Sequence, residues 1–298
     1  MFDGLMVAMV TPFRRGELDL DATARLMDFM IEGGVEGLVI SGSTGEAATC
    51  SVEERRTLWK FAKERARGRV PLVAGTGTNA TADSITLTKM AEDIGMDGAM
   101  IVTPFYNKPT PKGQAAHFAA VAQSTRLPLI LYNVPGRTGT YTTPDVLAQV
   151  QHFPNVVAVK EASGSLDQAS AVKAKTTLTL LCGDDSLTLP MIAVGATGVI
   201  SVAGNVAPAE MRALTDHARA GRIAEAEALH RRLGPLFKAL FVESNPGPVK
   251  AMLAMMGLIA NELRLPLVPV EPATEAALTA AARASGVAFP AAATAGRG

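Results

Sequence analysis

The feature that most constrains this chain is a rhythm. Eight short apolar runs recur along it, at residues 5–10, 37–40, 70–74, 98–102, 129–132, 156–160, 178–182 and 198–201. Each run is apolar throughout instead of alternating with polar residues, the pattern of a strand buried on both faces. Between the runs lie amphipathic stretches with helix start signals: Thr81-Ala82-Asp83-Ser84, Thr143-Pro144-Asp145, Ser165-Leu166-Asp167 and Ala207-Pro208-Ala209-Glu210. Hydroxyl caps and a proline in the first turn are expected at such places. Eight β-then-α units give a parallel sheet, and eight strands close a filled barrel, so the expected fold is a (β/α)8 TIM barrel. An open doubly wound sheet would carry G-x-G-x-x-G after its first strand; that fingerprint is absent, and Gly75-Thr76-Gly77 after the third run is too short to replace it.

The rhythm stops near Gly221. Residues 223–241, 246–258 and 273–285 carry helical patterns instead. The expected division is therefore a catalytic barrel over residues 1–222 and a helical region over 223–298. The tail from Ala288, made of Ala, Gly, Pro and Thr with one Arg, is expected to fray. A length of 298 residues, 48% hydrophobic and 19% charged, can bury the large core this needs. Twenty-eight basic residues balance 28 acidic ones, so neither nucleic acid nor an acidic membrane surface is an expected partner. No apolar run reaches the roughly 18 residues that span a bilayer. Residues 1–10 lack the basic start and cleavage site of a signal peptide and read as a strand. The two cysteines, Cys50 and Cys182, have no metal-ligand spacing, which fits a reduced cytoplasmic compartment.

Barrel enzymes place their chemistry at the C-terminal ends of the strands. Those ends carry Gly42-Ser43-Thr44-Gly45-Glu46, Thr103-Pro104-Phe105-Tyr106-Asn107, Tyr132 through Arg137, Lys160-Glu161, Gly183-Asp184-Asp185 and Ser201 through Asn205. Lys160 ends a run that should be buried. An ammonium between low-dielectric walls is costly unless paired or neutralised, and a neutral amine is a nucleophile. Taken alone, such a lysine more often reaches solvent through its stem. Two of the three tyrosines, Tyr106 and Tyr132, end runs on the same rim, and this shifts the weight to a Schiff-base lysine. All four histidines, His117, His152, His217 and His230, fall on expected helices away from the rim, so tyrosine is the natural proton carrier, with Ser43 and Thr44 as hydroxyl neighbours. Packing alone would also explain either tyrosine. The amides of the Gly42–Gly45 turn suit a carboxylate, although a tight turn capping a helix fits the same residues. Arg137 suits a second carboxylate, or plain solvation on a loop. Asp184 and Asp185 lack companions with metal-ligand spacing and read as a turn with, at most, a polar role at the rim.

Gly42-Ser43-Thr44-Gly45-Glu46, Tyr132-Asn133-Val134-Pro135 and Val159-Lys160-Glu161-Ala162-Ser163-Gly164 together resemble the motifs of the dihydrodipicolinate synthase / N-acetylneuraminate lyase family. The likeness runs from Met1 through the mid-280s without a large gap. It is strongest to the synthase branch, through residues 74–79, 103–107, 183–185, 198–202 and 241–246. The resemblance implies a class I lyase that condenses pyruvate with L-aspartate 4-semialdehyde to 4-hydroxy-tetrahydrodipicolinate, in the diaminopimelate route to lysine. It implies that Lys160 forms the imine with pyruvate and that Tyr132 moves protons at that carbon. Ser43 and Tyr106, the latter from a neighbouring subunit, would complete the relay. Thr44 and the carbonyl of Ile200 would hold pyruvate, and Arg137 the carboxylate of the aldehyde. A homotetramer, a dimer of tight dimers, is implied, with no metal or organic cofactor, since the imine is the electron sink. The relay position is often Thr in the synthases and is Ser43 here, which keeps the hydroxyl. N-acetylneuraminate lyase and 2-keto-3-deoxy sugar acid aldolases share Lys160, Tyr132 and the Gly-Ser-Thr-Gly turn; Arg137 favours the synthase. A non-catalytic ligand-binding barrel is the reading from another class, and the filled catalytic positions weigh against it. Lysine-sensitive synthases bind lysine at the tight-dimer interface. The matching positions here are Ala48, Val52, Arg55, Asn79, Asp83 and Phe105, with Phe105 where the sensitive enzymes have a tyrosine, and weak or absent inhibition is expected.

Overall fold

The computed structural model describes residues 2–287. Eight parallel strands close a barrel: β1 (Gly4–Ala8), β2 (Gly37–Ile40), β3 (Leu72–Gly75), β4 (Gly98–Val102), β5 (Leu129–Asn133), β6 (Val156–Glu161), β7 (Thr179–Cys182) and β8 (Gly198–Ser201). Consecutive strands are neighbours, and β8 returns to pair with β1. The strands fall on the eight apolar runs, with ends moved by at most two residues. Their continuous apolarity has the expected cause. Met6, Val39, Val73, Met100, Ile130, Ala158, Leu181 and Ile200 fill the barrel interior. Their sequence neighbours, such as Leu5, Leu38, Leu72 and Leu129, face outward under the helices. Both faces are therefore dry.

Around the strands lie α1 (Leu20–Glu32), α2 (Val52–Ala66), α3 (Thr81–Ile94), α4 (Pro111–Gln123), α5 (Pro144–Val150), α6 (Leu166–Lys175), α7 (Thr188–Ala193) and α8 (Pro208–Arg219). Thr143 and Ser165 cap α5 and α6 through their hydroxyls, and Pro208 opens α8, as their sequences foretell. The start of α3 differs. Thr81 is already its first residue, Ala80 sits at the cap, and the Ser84 hydroxyl accepts the Thr78 amide at 2.9 Å instead of capping. A small antiparallel hairpin, Phe13–Arg14 with Glu17–Leu18, lies between β1 and α1. Its Arg15-Gly16 turn has positive φ at both residues, 57° and 81°.

Past Arg222 the described residues form no strand. They form α9 (Ile223–Ala239), α10 (Gly247–Met255) and α11 (Pro272–Ser285), with α9 packed on α8 and α11. The tail expected to fray, from Ala288, lies outside the described residues. No helix among them is long and apolar enough to cross a membrane.

Candidate active site

The C-terminal ends of β2, β5, β6 and β7 surround a small cavity of about 60 Å³, lined among others by Ser43, Thr44, Tyr132, Arg137, Lys160 and Asp184. It opens beside a wider one of about 440 Å³, which shares Ser43, Tyr132 and Arg137 and extends to Arg55 and Phe105.

Strand register puts Lys160 next to Tyr132, on β6 and β5. Neighbours in register share a face, so both side chains point inward, and the Lys160 Nζ stands 4.3 Å from the centre of the Tyr132 ring. Lys160 is 5% exposed and makes no ion pair with any described residue. Gly183, at the end of β7, makes room for its stem: a Cβ there would stand 3.1 Å from Lys160 Cε and 2.5 Å from the Ala162 Cβ. The next pair in register, Asn133 and Glu161, points the other way. The Glu161 carboxylate accepts from Asn133 Nδ2 at 3.0 Å and from the Ser163 amide at 2.7 Å. Burial pushes its carboxyl up, against those hydrogen bonds. Glu161 therefore ties loops behind the site.

The turn after β2 is held from several sides. Ser41 and Glu46 bracket it at positive φ, 57° and 51°. Trp59 Nε1 donates to the Ser41 hydroxyl at 3.2 Å, and the Thr11 hydroxyl donates to the Gly45 carbonyl at 2.7 Å. At Gly75 on β3 only glycine fits, since a Cβ would stand 2.2 Å from the Ser41 carbonyl oxygen. The amides of Ser43, Thr44 and Gly45 donate to no acceptor among the described residues. The turn thus offers unused N–H groups beside Lys160.

Two residues missed from sequence complete the site. Asn245, between α9 and α10, donates from Nδ2 to the Thr44 hydroxyl at 2.9 Å, and its carbonyl accepts from Arg137 at 3.3 Å. With its oxygen accepting from Asn245, the Thr44 hydroxyl keeps its own proton to donate. Lys250 on α10 is fully buried and pairs with Glu46 at 2.5 Å. Burial pushes the Lys250 ammonium down, and the Glu46 carboxylate opposes this. Asn245 falls in the 241–246 stretch that resembles the synthases, but nothing in that stretch assigns it a role, and no local signal marks Lys250. Asn245 reads as a helix-breaking link and Lys250 as one position of an amphipathic pattern, and their place depends on how the C-terminal helices fold back.

The remaining expected residues separate. Lys160, Tyr132, Ser43, Thr44 and Arg137 meet at the cavity. Ile200 does not line it; its side chain packs one layer deeper, inside the barrel, and Val202 takes the rim. Tyr106 is 89% exposed at φ 70°, on the loop after β4. A bulky residue rarely adopts that conformation, so the loop displays the ring outward at a cost. The two aspartates of the turn after β7 also part. Asp185 is fully buried and accepts from the Ser201 hydroxyl and the Val202 and Ala203 amides, which joins the ends of β7 and β8. Asp184 faces the Lys160 cavity. No histidine lines either cavity, although His152 lies on a turn after α5 and not on a helix. No cluster of metal-ligating residues occurs among the described residues.

Known proteins match this arrangement closely. A 4-hydroxy-tetrahydrodipicolinate synthase from Persephonella marina is 48% identical over 279 residues, covering 92% of this chain and 95% of that protein. The crystal structure of dihydrodipicolinate synthase from Aquifex aeolicus superposes with a TM-score of 0.95 at 41% identity, over 97% of this chain and 100% of that one. The chloride-inhibited dihydrodipicolinate synthase from Acinetobacter baumannii, solved with pyruvate, gives 0.93 at 39% identity, over 97% and 100%. The sequence pattern of the Dihydrodipicolinate synthetase family matches residues 1–285, and the chain belongs to that family.

Proposed function

We propose that this chain is a class I lyase that condenses pyruvate with L-aspartate 4-semialdehyde to give 4-hydroxy-tetrahydrodipicolinate, a step toward diaminopimelate and lysine. The observation that carries the reading is Lys160: a buried amine that makes no ion pair, beside Tyr132, at a cavity with unused amides. The Lys160 amine adds to the ketone carbon of pyruvate, and loss of water gives the imine. Loss of a methyl proton from that imine, protonated on nitrogen, gives the neutral enamine, which attacks the aldehyde. Tyr132 moves the protons at these steps, relayed by Ser43 and by Tyr106 of a neighbouring subunit. The Thr44 hydroxyl and the free amides of its turn hold the pyruvate carboxylate, and the main-chain carbonyl of Ile200, whose side chain packs deeper, is assigned as a further contact to pyruvate. Arg137 takes the carboxylate of the aldehyde. The imine serves as electron sink, so the scheme calls on no metal or organic cofactor.

The exposed, outward-held Tyr106 supports a tight dimer in which each subunit lends its ring to the other, and a tetramer made of two such dimers. The chain is best divided at residue 222: the barrel carries the imine chemistry, and the helical region lends Asn245. Free Cys50 and Cys182 support a reducing, cytoplasmic setting.

Reduction with borohydride in the presence of pyruvate should add one pyruvyl unit, on Lys160. A coupled assay should show consumption of aspartate semialdehyde in preference to N-acetylneuraminate or 2-keto-3-deoxy sugar acids. A label on another lysine, or preference for a sugar acid, would sink the corresponding half of the proposal.

A further inference from the structure

Asp184 is the one acid at the Lys160 cavity to which the scheme above gives no task. Its place follows from topology. In the barrel β6 lies between β5 and β7, so Lys160 is flanked on one side by the segment bearing Arg137 and on the other by the turn bearing Asp184. Both line the same cavity of about 60 Å³. The Asp184 main-chain carbonyl is occupied, accepting from Cys182 Sγ and from the Leu187 amide. Its carboxylate makes no hydrogen bond or ion pair with a described residue, whereas that of its neighbour Asp185 is saturated. Burial pushes the Asp184 carboxyl up, and the Lys160 ammonium pulls it back. Once the enamine has formed, the Lys160 nitrogen is neutral, and no cation then faces the carboxylate when the second substrate arrives. An unpaired acid in such a site is costly unless a ligand satisfies it.

The second substrate of the proposed reaction is an amino acid as well as an aldehyde. Its α-carbon, one methylene from the reacting carbonyl, bears an ammonium beside its carboxylate. A site that reads only the carboxylate would accept the des-amino aldehyde equally well. A buried hydrogen-bonding group left unpaired by the wrong ligand is the usual source of strong discrimination.

We propose that Asp184 is a specificity residue that binds the α-ammonium of the amino-aldehyde, opposite the arginine that takes its carboxylate. This deepens the proposed function and rests on it. Asp184→Asn keeps the shape and removes the charge. Its kcat/KM for aspartate semialdehyde should fall about ten- to a hundredfold, the range for a hydrogen bond between charged groups. The inhibition constant of succinate semialdehyde, which has the same carboxylate and aldehyde without the amine, should change less than about threefold. Borohydride trapping of pyruvate should proceed as in the unaltered protein. Equal losses toward both aldehydes, or a failure to form the pyruvyl adduct, would overturn the proposal and assign Asp184 to the imine step or to the fold. An unaltered protein that does not consume aspartate semialdehyde would instead overturn the proposed function, so the two failures are distinct.

Discussion

Lys160, at the mouth of the barrel, and Lys250, where the C-terminal helices meet it, share a side chain, near-complete burial and an aromatic neighbour. The Lys160 Nζ is 4.3 Å from the Tyr132 ring centre, and the Lys250 Nζ is 4.5 Å from that of Phe13. They differ in countercharge. Lys250 meets the Glu46 carboxylate, whose other oxygen accepts the Arg264 amide at 3.0 Å, while the Arg264 guanidinium packs over Phe13 and pairs with Glu54. Lys160 makes no ion pair: it faces an open cavity whose one acid, Asp184, makes no salt bridge or hydrogen bond with it. Burial by itself makes a lysine structural when a carboxylate closes on it as an ion pair, and chemically available when none does.

Removing each amine should separate the two regions most sharply. Lys160→Ala should abolish the pyruvyl adduct and lower turnover on the order of 10⁴-fold or more, as loss of a covalent nucleophile does. Its melting temperature should hold or rise, because the lost charge was unpaired. Residual turnover within tenfold of the unaltered protein would erase the distinction. Lys250→Met should do the reverse. It leaves Glu46 buried without its partner and should cost about 3–5 kcal/mol in urea unfolding, while the adduct still forms on Lys160. Replacing both partners, as Lys250→Met with Glu46→Gln, should recover much of that loss. A single Lys250→Met as stable as the parent would show that the pair contributes little.

Arg137 is a cation at the same mouth, but exposed and held only by the Asn245 carbonyl. Arg137→Ala should raise KM for the aldehyde tens- to several-hundredfold, about 2–4 kcal/mol, with little change for pyruvate. Equal damage to both Michaelis constants would remove it from aldehyde binding. Tyr106 extends the comparison beyond one chain. Inactive Tyr106→Phe and Lys160→Ala chains, mixed and reassembled, should regain up to about a quarter of full activity, because one site of each heterodimer then holds both original groups. Verified heterodimers without activity would return Tyr106 to its own subunit's site.

The contrast also explains what the sequence discloses. The barrel was legible because strands buried on both faces must be apolar without interruption, and because the chemistry of this fold collects at strand ends. Lys160 and Tyr132 stand out for the same reason, as polar residues closing apolar runs. The Arg15-Gly16 hairpin escaped notice because strands of two residues have no period to detect, although a pair with positive φ suits a two-residue hairpin turn. Asp184 and Asp185 look alike in sequence, and only the placement of Ser201 and the Val202 and Ala203 amides makes one a tie and leaves the other free. Lys250 and Asn245 were invisible because their partners, Glu46 and Thr44, lie some two hundred residues away.

Arg55 provides the smallest expected effect and a third cation, half-buried, to compare. It lines the wider cavity, donates to the Ala47 carbonyl, and keeps a buried Nε without a partner. Burial pushes its pKa down, yet a guanidinium stays charged, and no described carboxylate pairs with it. The family resemblance implies that in lysine-sensitive synthases the inhibitor occupies this neighbourhood, with a tyrosine hydroxyl where this chain has Phe105. Loss of that hydroxyl costs about 1.5–3 kcal/mol against a buried carboxylate, roughly ten- to a hundredfold in affinity. By the same resemblance Asp83 stands for a glutamate, keeping its charge but shortening its reach by one methylene. Free lysine carries a net positive charge, so the unpaired Arg55 guanidinium adds repulsion to these losses. Millimolar lysine should therefore leave the rate nearly unchanged, and Arg55→His with Phe105→Tyr should introduce measurable inhibition. Strong, cooperative inhibition of the unaltered protein below one millimolar would mean that Arg55 grips the inhibitor's carboxylate, and that an unpaired, half-buried cation here serves binding as Lys160 serves chemistry.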